Sequence, residues 1–210
     1  MTLTETSRRE RKKEETRRRI FDAAISLFRE RGFETTTVDD ITEKADVARG
    51  TFFNYFPRKE ALLAYLSEER LSMAEENASA LLASPGSPRE KLVELFLLAA
   101  SAYEADRELA RFVFTEWMKR GFTPTRDAEA RWQRLLHAIL AQGRAQRALR
   151  DDVSDARAEA LLSGIYITTL YHWTCAADGA GDSVPSLRSE LAARLHLVMD
   201  AIEKPAGARP

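Results

Sequence analysis

Apolar residues recur at intervals of three and four along most of this chain, which is the spacing of one face of an α-helix. The first clear stripe has offsets of 0, 3, 4, 7 and 8 and consists of Ile20, Ala23, Ala24, Leu27 and Phe28. Gly32 follows this stripe and is a natural C-terminal stop for a helix. The pattern therefore predicts a helix that ends near Gly32 and buries this stripe in a small bundle.

Residues 36–59 predict two short helices joined by a tight turn, which is the arrangement of a helix-turn-helix. Thr37 is expected to cap the first helix, with Asp40 as its partner in a capping box. Asp46 lies in the turn, where aspartate tolerates the left-handed backbone conformation. The buried face of this first helix is marked by Val38, Ile41 and Ala45.

The second helix of this stretch, over residues 48–55, carries an unusual outward face. Phe52 and Phe56 are four residues apart and share the buried side, and Pro57 ends the helix. The remaining positions project outward and are polar or aromatic: Arg49, Gly50, Thr51, Asn54 and Tyr55. Such a surface suits a DNA major groove, where arginine pairs with guanine and threonine contacts base edges or a thymine methyl. The alternative is a helix-turn-helix that serves only for packing, in a small-molecule-binding or adaptor protein.

The segment ADVARGTFFNYFPRKEAL, residues 45–62, resembles the recognition-helix motif of the TetR family of transcriptional repressors. The resemblance spans about residues 15–63, with identities at fixed spacing. Two positions depart from the family pattern. Asp46 replaces the usual glycine of the turn, and Phe53 stands where a tyrosine is usual.

This resemblance implies an all-α protein of about nine helices with two domains. An N-terminal three-helix DNA-binding domain, residues 1–60, would contain a basic arm (1–14) and the helix-turn-helix (37–56). A C-terminal domain, residues 61–204, would sense a ligand and dimerise through its last two helices, about 155–177 and 186–203. Residues 205–210 would form a flexible tail. The implied function is a homodimeric repressor that binds a pseudo-palindromic operator and is released by a small-molecule inducer.

The motif also indicates which side chains contact DNA. Arg49, Gly50 and Thr51 are expected at the bases, with Phe53 against a thymine methyl and Asn54 on the same exposed face. Phosphate contacts are expected from Thr37, Tyr55 and Lys59. The residues alone leave open the operator, the inducer, and whether transcription is repressed or activated.

The distribution of charge is more informative than the net charge of −1. Residues 1–31 contain ten basic and six acidic residues, whereas residues 61–210 contain 18 basic and 21 acidic residues. The positive excess therefore lies beside the helix-turn-helix. Arg8 to Lys13 are candidates for contacts to phosphates or the minor groove, although a solvated helix face or a tail explains the same run of charges.

The C-terminal part predicts six further helices separated by proline- and glycine-containing segments: residues 58–83, 89–103, 106–120, 125–147, 155–177 and 186–203. The first of these is the expected connector between the domains, and the second is apolar on nearly all sides and is expected at the centre of its domain. The last helix has an apolar seam that faces its own domain or a partner: Leu187, Leu191, Leu195, Val198 and Ile202.

Aromatic residues with a few polar neighbours are typical of a pocket between helices, although core packing explains most of them. The candidate ligand-binding residues are Tyr103, Phe112, Trp117, Trp132, His137, Tyr166, Thr169, His172 and Trp173.

Other functional classes are disfavoured. The chain has no phosphate-binding loop, metal motif or catalytic spacing, so we expect no enzyme activity, no metal and no cofactor. A cofactor-free enzyme in the helical C-terminal part remains the third alternative. His137, His172 and His196 are scattered, and the single cysteine, Cys175, excludes an intramolecular disulfide. No apolar run reaches the roughly 18 residues of a membrane span, so a soluble cytoplasmic protein is expected.

Overall fold

The computed structural model describes residues 3–104, 106–119, 126–176 and 185–205. These parts of the chain form nine α-helices, and the expectation of an all-α fold is confirmed. The helices are α1 (Leu3–Arg31), α2 (Val38–Lys44), α3 (Arg49–Tyr55), α4 (Ala61–Ala83), α5 (Pro88–Glu104), α6 (Arg107–Lys119), α7 (Arg126–Ala145), α8 (Asp155–Cys175) and α9 (Leu187–Ile202).

The chain divides into two compact units, Met1–Leu66 and Ser67–Pro210. The division falls inside α4 rather than between residues 60 and 61, because the first turns of α4 pack with the N-terminal unit. The Tyr65 ring lies 4.9 Å from that of Phe21 and 5.7 Å from that of Phe56, measured between ring centroids. The assignment of separate functions to the two units stays a prediction.

The core of the N-terminal unit forms around the predicted stripe of α1. All five stripe residues are buried, together with Ile41 of α2 and Phe52 of α3. Gly32 ends α1 with a φ of 87°, a conformation that favours glycine, and Asp46 has a φ of 50° in the turn before α3. From Leu3 onward the expected basic arm is continuous with α1, and the side chains of residues 8–15 are exposed.

The C-terminal unit is built around α5, which packs against α6, α7 and α9. Leu92, Leu95 and Phe96 are fully buried there, as expected for a central helix. The seam of α9 faces this core: Leu187, Leu191, Leu195, Met199 and Ile202 are buried. The buried residue at this point of the seam is Met199 and not the predicted Val198, which is only half-buried. Met199 lies four residues after Leu195, and this step keeps its side chain on the buried face.

Side chains of α5 and α6 hold the end of α8 and the start of α9, on either side of the segment that connects these two helices. The Glu104 carboxylate accepts hydrogen bonds from the Ser186 hydroxyl, at 2.6 Å, and from the Arg188 main-chain N–H, at 3.0 Å. The Arg107 guanidinium donates to the main-chain oxygens of Trp173, at 2.9 Å, and of Ala176. Most of the predicted turn at residues 178–185 and of the predicted tail lies outside the described residues.

Candidate DNA-binding site

The start of α2 is fixed by a capping box, as the sequence predicts. The Thr37 hydroxyl donates to Asp40 Oδ2 at 2.5 Å and accepts from the Asp40 main-chain N–H at 3.2 Å. The Thr37 main-chain N–H also donates to this carboxylate, and Arg31 at the end of α1 forms an ion pair with it at 2.7 Å. The Thr37 hydrogen bonds, and then Arg31, lower the pKa of Asp40 from 3.8 to about 2. The Asp40 carboxylate therefore joins the end of α1 to the beginning of α2.

Helix α3 has a buried aromatic side and an exposed polar side. Phe52 and Phe56 are buried and their ring centroids lie 5.9 Å apart, which confirms the predicted pair. Arg49, Gly50, Phe53 and Asn54 are exposed, while Thr51 and Tyr55 are half-buried. Because the two phenylalanines anchor α3 to its own unit, the opposite side is left available for a partner.

The guanidinium of Arg49 is held by a carboxylate of the preceding helix. Arg49 Nη1 forms an ion pair with Asp39 Oδ1, and the guanidinium carbon lies 5.8 Å from the centroid of the Phe53 ring. The sequence did not indicate Asp39 as part of the site. The two residues lie in different helices, and the turn that brings them together has no side-chain periodicity from which to predict the contact.

Gly50 lies where an approaching partner would meet only backbone. A Cβ atom added at this position would have no neighbour within 4 Å. The packing of the unit therefore does not require a glycine, and the space above it is open. Beside it, the Phe53 side chain is 43% exposed, and its ring lies 5.4 Å from that of Phe52 with the edge-on geometry common for aromatic pairs.

Lys59 is half-buried and is engaged by the main chain. Its ammonium donates to the carbonyl oxygens of Phe33 at 2.7 Å, Thr36 at 2.9 Å and Glu34 at 3.4 Å, and lies 4.3 Å from the centroid of the Phe33 ring. The three donors of a lysine are thus directed at the loop between α1 and α2. The expected phosphate contact would require at least one of these hydrogen bonds to be released.

The basic run of α1 contains ion pairs within the helix. Arg11 lies 3.6 Å from Glu15, and Arg18 lies 3.0 Å from Asp22, both at the four-residue spacing that favours such pairs. These carboxylates offset part of the positive charge. The sequence alternative of a solvated helix face is therefore consistent with the exposed side chains of this segment.

In the C-terminal unit, three aromatic side chains of α5, α7 and α8 form one cluster. The Phe96 ring lies 5.1 Å from Trp132 and 5.7 Å from Tyr166, and the last two are 6.4 Å apart. Thr169, also on α8, is buried, and its hydroxyl donates to the Ile165 carbonyl at 2.6 Å. Three further candidates are partly buried against the same core: Tyr103, Trp117 and Trp173. Phe112 is half-buried.

The two histidines proposed for this pocket lie elsewhere. His137 and His172 are exposed, and His137 Nε2 lies 2.9 Å from Glu159 Oε2 on the neighbouring helix. They were candidates as polar residues among the aromatic ones in the sequence, but each projects from the outer side of its helix. The polar groups that are buried in this unit instead include Lys91 and Glu116, which the sequence did not single out.

Lys91 illustrates why these buried charges were missed. Its ammonium donates to the Leu82 carbonyl at 3.0 Å and to Gln142 Oε1 at 3.1 Å, so it joins the end of α4 to α7. Lys91 is a charged residue among charged and apolar neighbours, and this sequence pattern is typical of an exposed helix position. Its burial depends on contacts with residues distant in sequence.

Comparison with known proteins identifies the family. Residues 20–66 match the family model described as bacterial regulatory proteins, tetR family. The TetR-family repressor FadR of Thermus thermophilus, solved in complex with lauroyl-CoA, is 32% identical to this chain. The match covers 92% of this chain and 98% of FadR, with a TM-score of 0.70. The chain belongs to the TetR family of transcriptional regulators.

Other members of the TetR family agree with this assignment. The repressor KstR of Mycolicibacterium smegmatis is 27% identical over 188 residues, covering 86% of each chain. FadR of Bacillus subtilis, solved in complex with stearoyl-CoA, shares the fold at 22% identity and a TM-score of 0.63, over 88% of this chain and 98% of its own.

This TetR-family chain is therefore a ligand-responsive DNA-binding repressor, and not an enzyme. The alternatives of an adaptor with a purely structural helix-turn-helix and of a cofactor-free enzyme are set aside. Among the described residues, no helix is long and apolar enough to cross a membrane.

Proposed function

We propose that this repressor binds a pseudo-palindromic operator as a homodimer and that a fatty acyl-CoA releases it. The observation that carries the proposal is the surface of α3, which leaves Arg49, Gly50 and Phe53 exposed while Phe52 and Phe56 anchor the helix. A helix held in this way can enter a major groove without changing its own packing.

The proposed DNA contacts follow from the exposure of each side chain. Arg49 donates to a guanine, and Thr51 and Asn54 contact base edges beside it. Gly50 allows the DNA to approach the backbone, and Phe53 contacts a thymine methyl. Tyr55 and Thr37 contact phosphates. Lys59 positions the loop between α1 and α2 instead of binding DNA, because its ammonium is already shared among carbonyl oxygens.

The homodimer is proposed to form through α8 and α9. Leu161 is 48% exposed and Leu197 is 70% exposed, which is unusual for such large apolar side chains. Gly164 and Thr168 follow Leu161 at helical spacing, and a Cβ at Gly164 would meet no atom within 4 Å. A small residue beside exposed leucines supports close approach of a second pair of helices. The dimer would place two copies of α3 about 34–36 Å apart, one turn of DNA.

The proposed inducer class rests on two observations. FadR of Thermus thermophilus, at 32% identity, was solved in complex with lauroyl-CoA. In this chain, Phe96, Trp132 and Tyr166 form an apolar aromatic cluster between α5, α7 and α8, in which Trp132 and Tyr166 are only partly buried. An acyl chain would pack against these two rings. Release of DNA requires only that the acyl-CoA bind more tightly to a dimer whose recognition helices have the wrong spacing.

A selection from a random duplex pool tests the proposal directly. The full-length protein is expected to enrich an inverted repeat with half-sites about one helical turn apart. Fluorescence anisotropy on that duplex would then be repeated with lauroyl-CoA, with CoA and with laurate. Lauroyl-CoA is expected to weaken binding at least about tenfold, a coupling within the usual range, whereas CoA and laurate alone are not.

Each part of the proposal has its own contrary result. Enrichment of no sequence would contradict operator recognition. An enriched single half-site would contradict the homodimer. Equal effects of lauroyl-CoA and CoA would assign recognition to the nucleotide portion and contradict a site for the acyl chain.

A further inference from the structure

We propose that Asp39 determines sequence specificity by positioning the Arg49 guanidinium against its base pair. The inference rests on the proposed contact between Arg49 and a guanine. It adds a residue of α2 that would not itself contact a base. Asp39 would act through Arg49, and so is a positioning residue in the recognition of DNA.

The geometry fixes the guanidinium from two directions. Asp39 Oδ1 accepts from Arg49 Nη1, and the Phe53 ring lies 5.8 Å from the guanidinium carbon. The carboxylate comes from the first turn of α2, while the ring comes from the next turn of α3. Two contacts from different helices restrict a long side chain that would otherwise sample many rotamers.

The neighbouring carboxylate has a different task. Asp40 is engaged by Thr37 and Arg31 and completes the cap of α2. Asp39 takes no part in that capping box. Of the two consecutive acidic residues, one therefore serves the fold and the other is directed at the recognition helix.

Stability does not account for the contact between Asp39 and Arg49. Their side chains are 67% and 61% exposed, and ion pairs between such exposed side chains contribute little or nothing to the stability of the fold. A carboxylate on a DNA-facing surface also repels phosphates, so it lowers affinity for every duplex. A role in specificity explains why a negative charge is placed beside the residue proposed to bind guanine.

The chemistry of the guanidinium permits this role. Arginine has five N–H donors, and a contact to Asp39 leaves enough to bind O6 and N7 of a guanine together. A guanidinium that is not fixed can turn toward a phosphate or toward a single acceptor on another base. With Asp39 present, only a base pair that offers two suitably placed acceptors compensates for bringing the carboxylate close to DNA.

The test measures discrimination, the ratio of affinities for the selected duplex and for the duplex changed at the Arg49 base pair. That base pair is located by comparing the sequences selected by the wild type and by Arg49→Ala. Asp39→Ala is expected to lower discrimination there by about five- to tenfold, within the range for one base contact. It is also expected to raise affinity for random duplex by a few-fold, because a negative charge is lost.

Three variants separate positioning from other effects. Glu43→Ala removes an exposed carboxylate from the next turn of the same helix and is expected to raise random-duplex affinity without changing discrimination. Asp39→Asn keeps an acceptor for Arg49 and is expected to retain part of the discrimination. In the Arg49→Ala background, Asp39→Ala should leave discrimination unchanged, because the side chain that it positions is absent.

The outcomes are distinct. Unchanged discrimination in Asp39→Ala would overturn the proposal. An equal loss in both backgrounds would also overturn it, since Asp39 would then act on the base or on the fold independently of Arg49. Failure of the underlying DNA contact appears separately, as an Arg49→Ala profile identical to that of the wild type.

Discussion

The ammonium of Lys59 lies 2.7 Å from the carbonyl oxygen of Phe33, 26 residues earlier in the chain. Together with the contacts to Thr36 and Glu34, this contact ties the loop between α1 and α2 to a residue that follows α3 in the chain. Lys59, which lies two residues before α4, therefore supports the segment that leads into the helix-turn-helix.

Lys59→Met should destabilise the N-terminal unit, because the carbonyl oxygens lose a charged donor while the aliphatic stem is retained. We expect a loss of about 1–3 kcal/mol in the free energy of unfolding, measured by urea denaturation. The salt dependence of operator binding should stay unchanged. If the slope of log affinity against log salt concentration fell by about one, Lys59 would bind a phosphate. The exposed neighbour Arg58→Met is the control for stability.

Gly50→Ala should separate folding from binding. The added methyl meets no atom within 4 Å, and alanine favours helix, so stability should be unchanged or raised by up to about 0.5 kcal/mol. Operator affinity should nevertheless fall by about tenfold or more, since the methyl occupies space proposed for DNA. Thermal unfolding and anisotropy on the same preparation check the two effects. Full operator affinity would place DNA away from this part of α3.

The pH dependence of stability should contain a contribution from Asp40. Because its pKa is lowered in the folded protein to about 2, its stabilising contribution is present above the ordinary pKa of 3.8 and is lost as pH falls toward 2. Asp40→Asn should therefore flatten the decline in stability between about pH 4 and 2.

The Asp40 carboxyl can also be titrated by NMR. Thr37→Val removes the hydroxyl that contributes most to the lowered pKa, so the titration midpoint should move up toward the ordinary value. An unchanged midpoint in this variant would assign the shift to the Thr37 main-chain N–H and to Arg31 instead.

Leu197→Arg should dissociate the proposed dimer without unfolding the subunit. The side chain is 70% exposed within one subunit, so an arginine is accommodated there, whereas at a dimer interface it would bury an unpaired charge. Sedimentation equilibrium should show monomers, and operator affinity should fall steeply. The exposed Thr115→Arg on α6 is the control. A Leu197→Arg protein that remains dimeric would place the interface elsewhere.

Features set by residues close in sequence were predictable. The capping box of Thr37 and Asp40 spans three residues, and the buried pair of Phe52 and Phe56 spans one helical turn. Both follow from helical geometry, and the structure contains both. The same reasoning found the end of α1 at Gly32 and the central position of α5.

Features that depend on contacts between helices were not predictable. Lys59 has the charge expected of a phosphate ligand, but the carbonyl oxygens that engage it are contributed by a loop more than twenty residues away. The pairing of Asp39 with Arg49 depends on the angle of the turn between α2 and α3. His137 and His172 were polar candidates for the pocket, yet the rotation of each helix about its axis leaves both side chains exposed.

The anchoring of α8 and α9 by Arg107 and Glu104 has a practical consequence. Arg107 of α6 holds the end of α8, and Glu104 of α5 holds the start of α9. The placement of these two helix ends therefore does not rely on the residues that connect them. A fluorescent protein inserted between residues 177 and 184 would leave these anchors in place. The repressor would then be a starting point for an optical sensor of its own inducer.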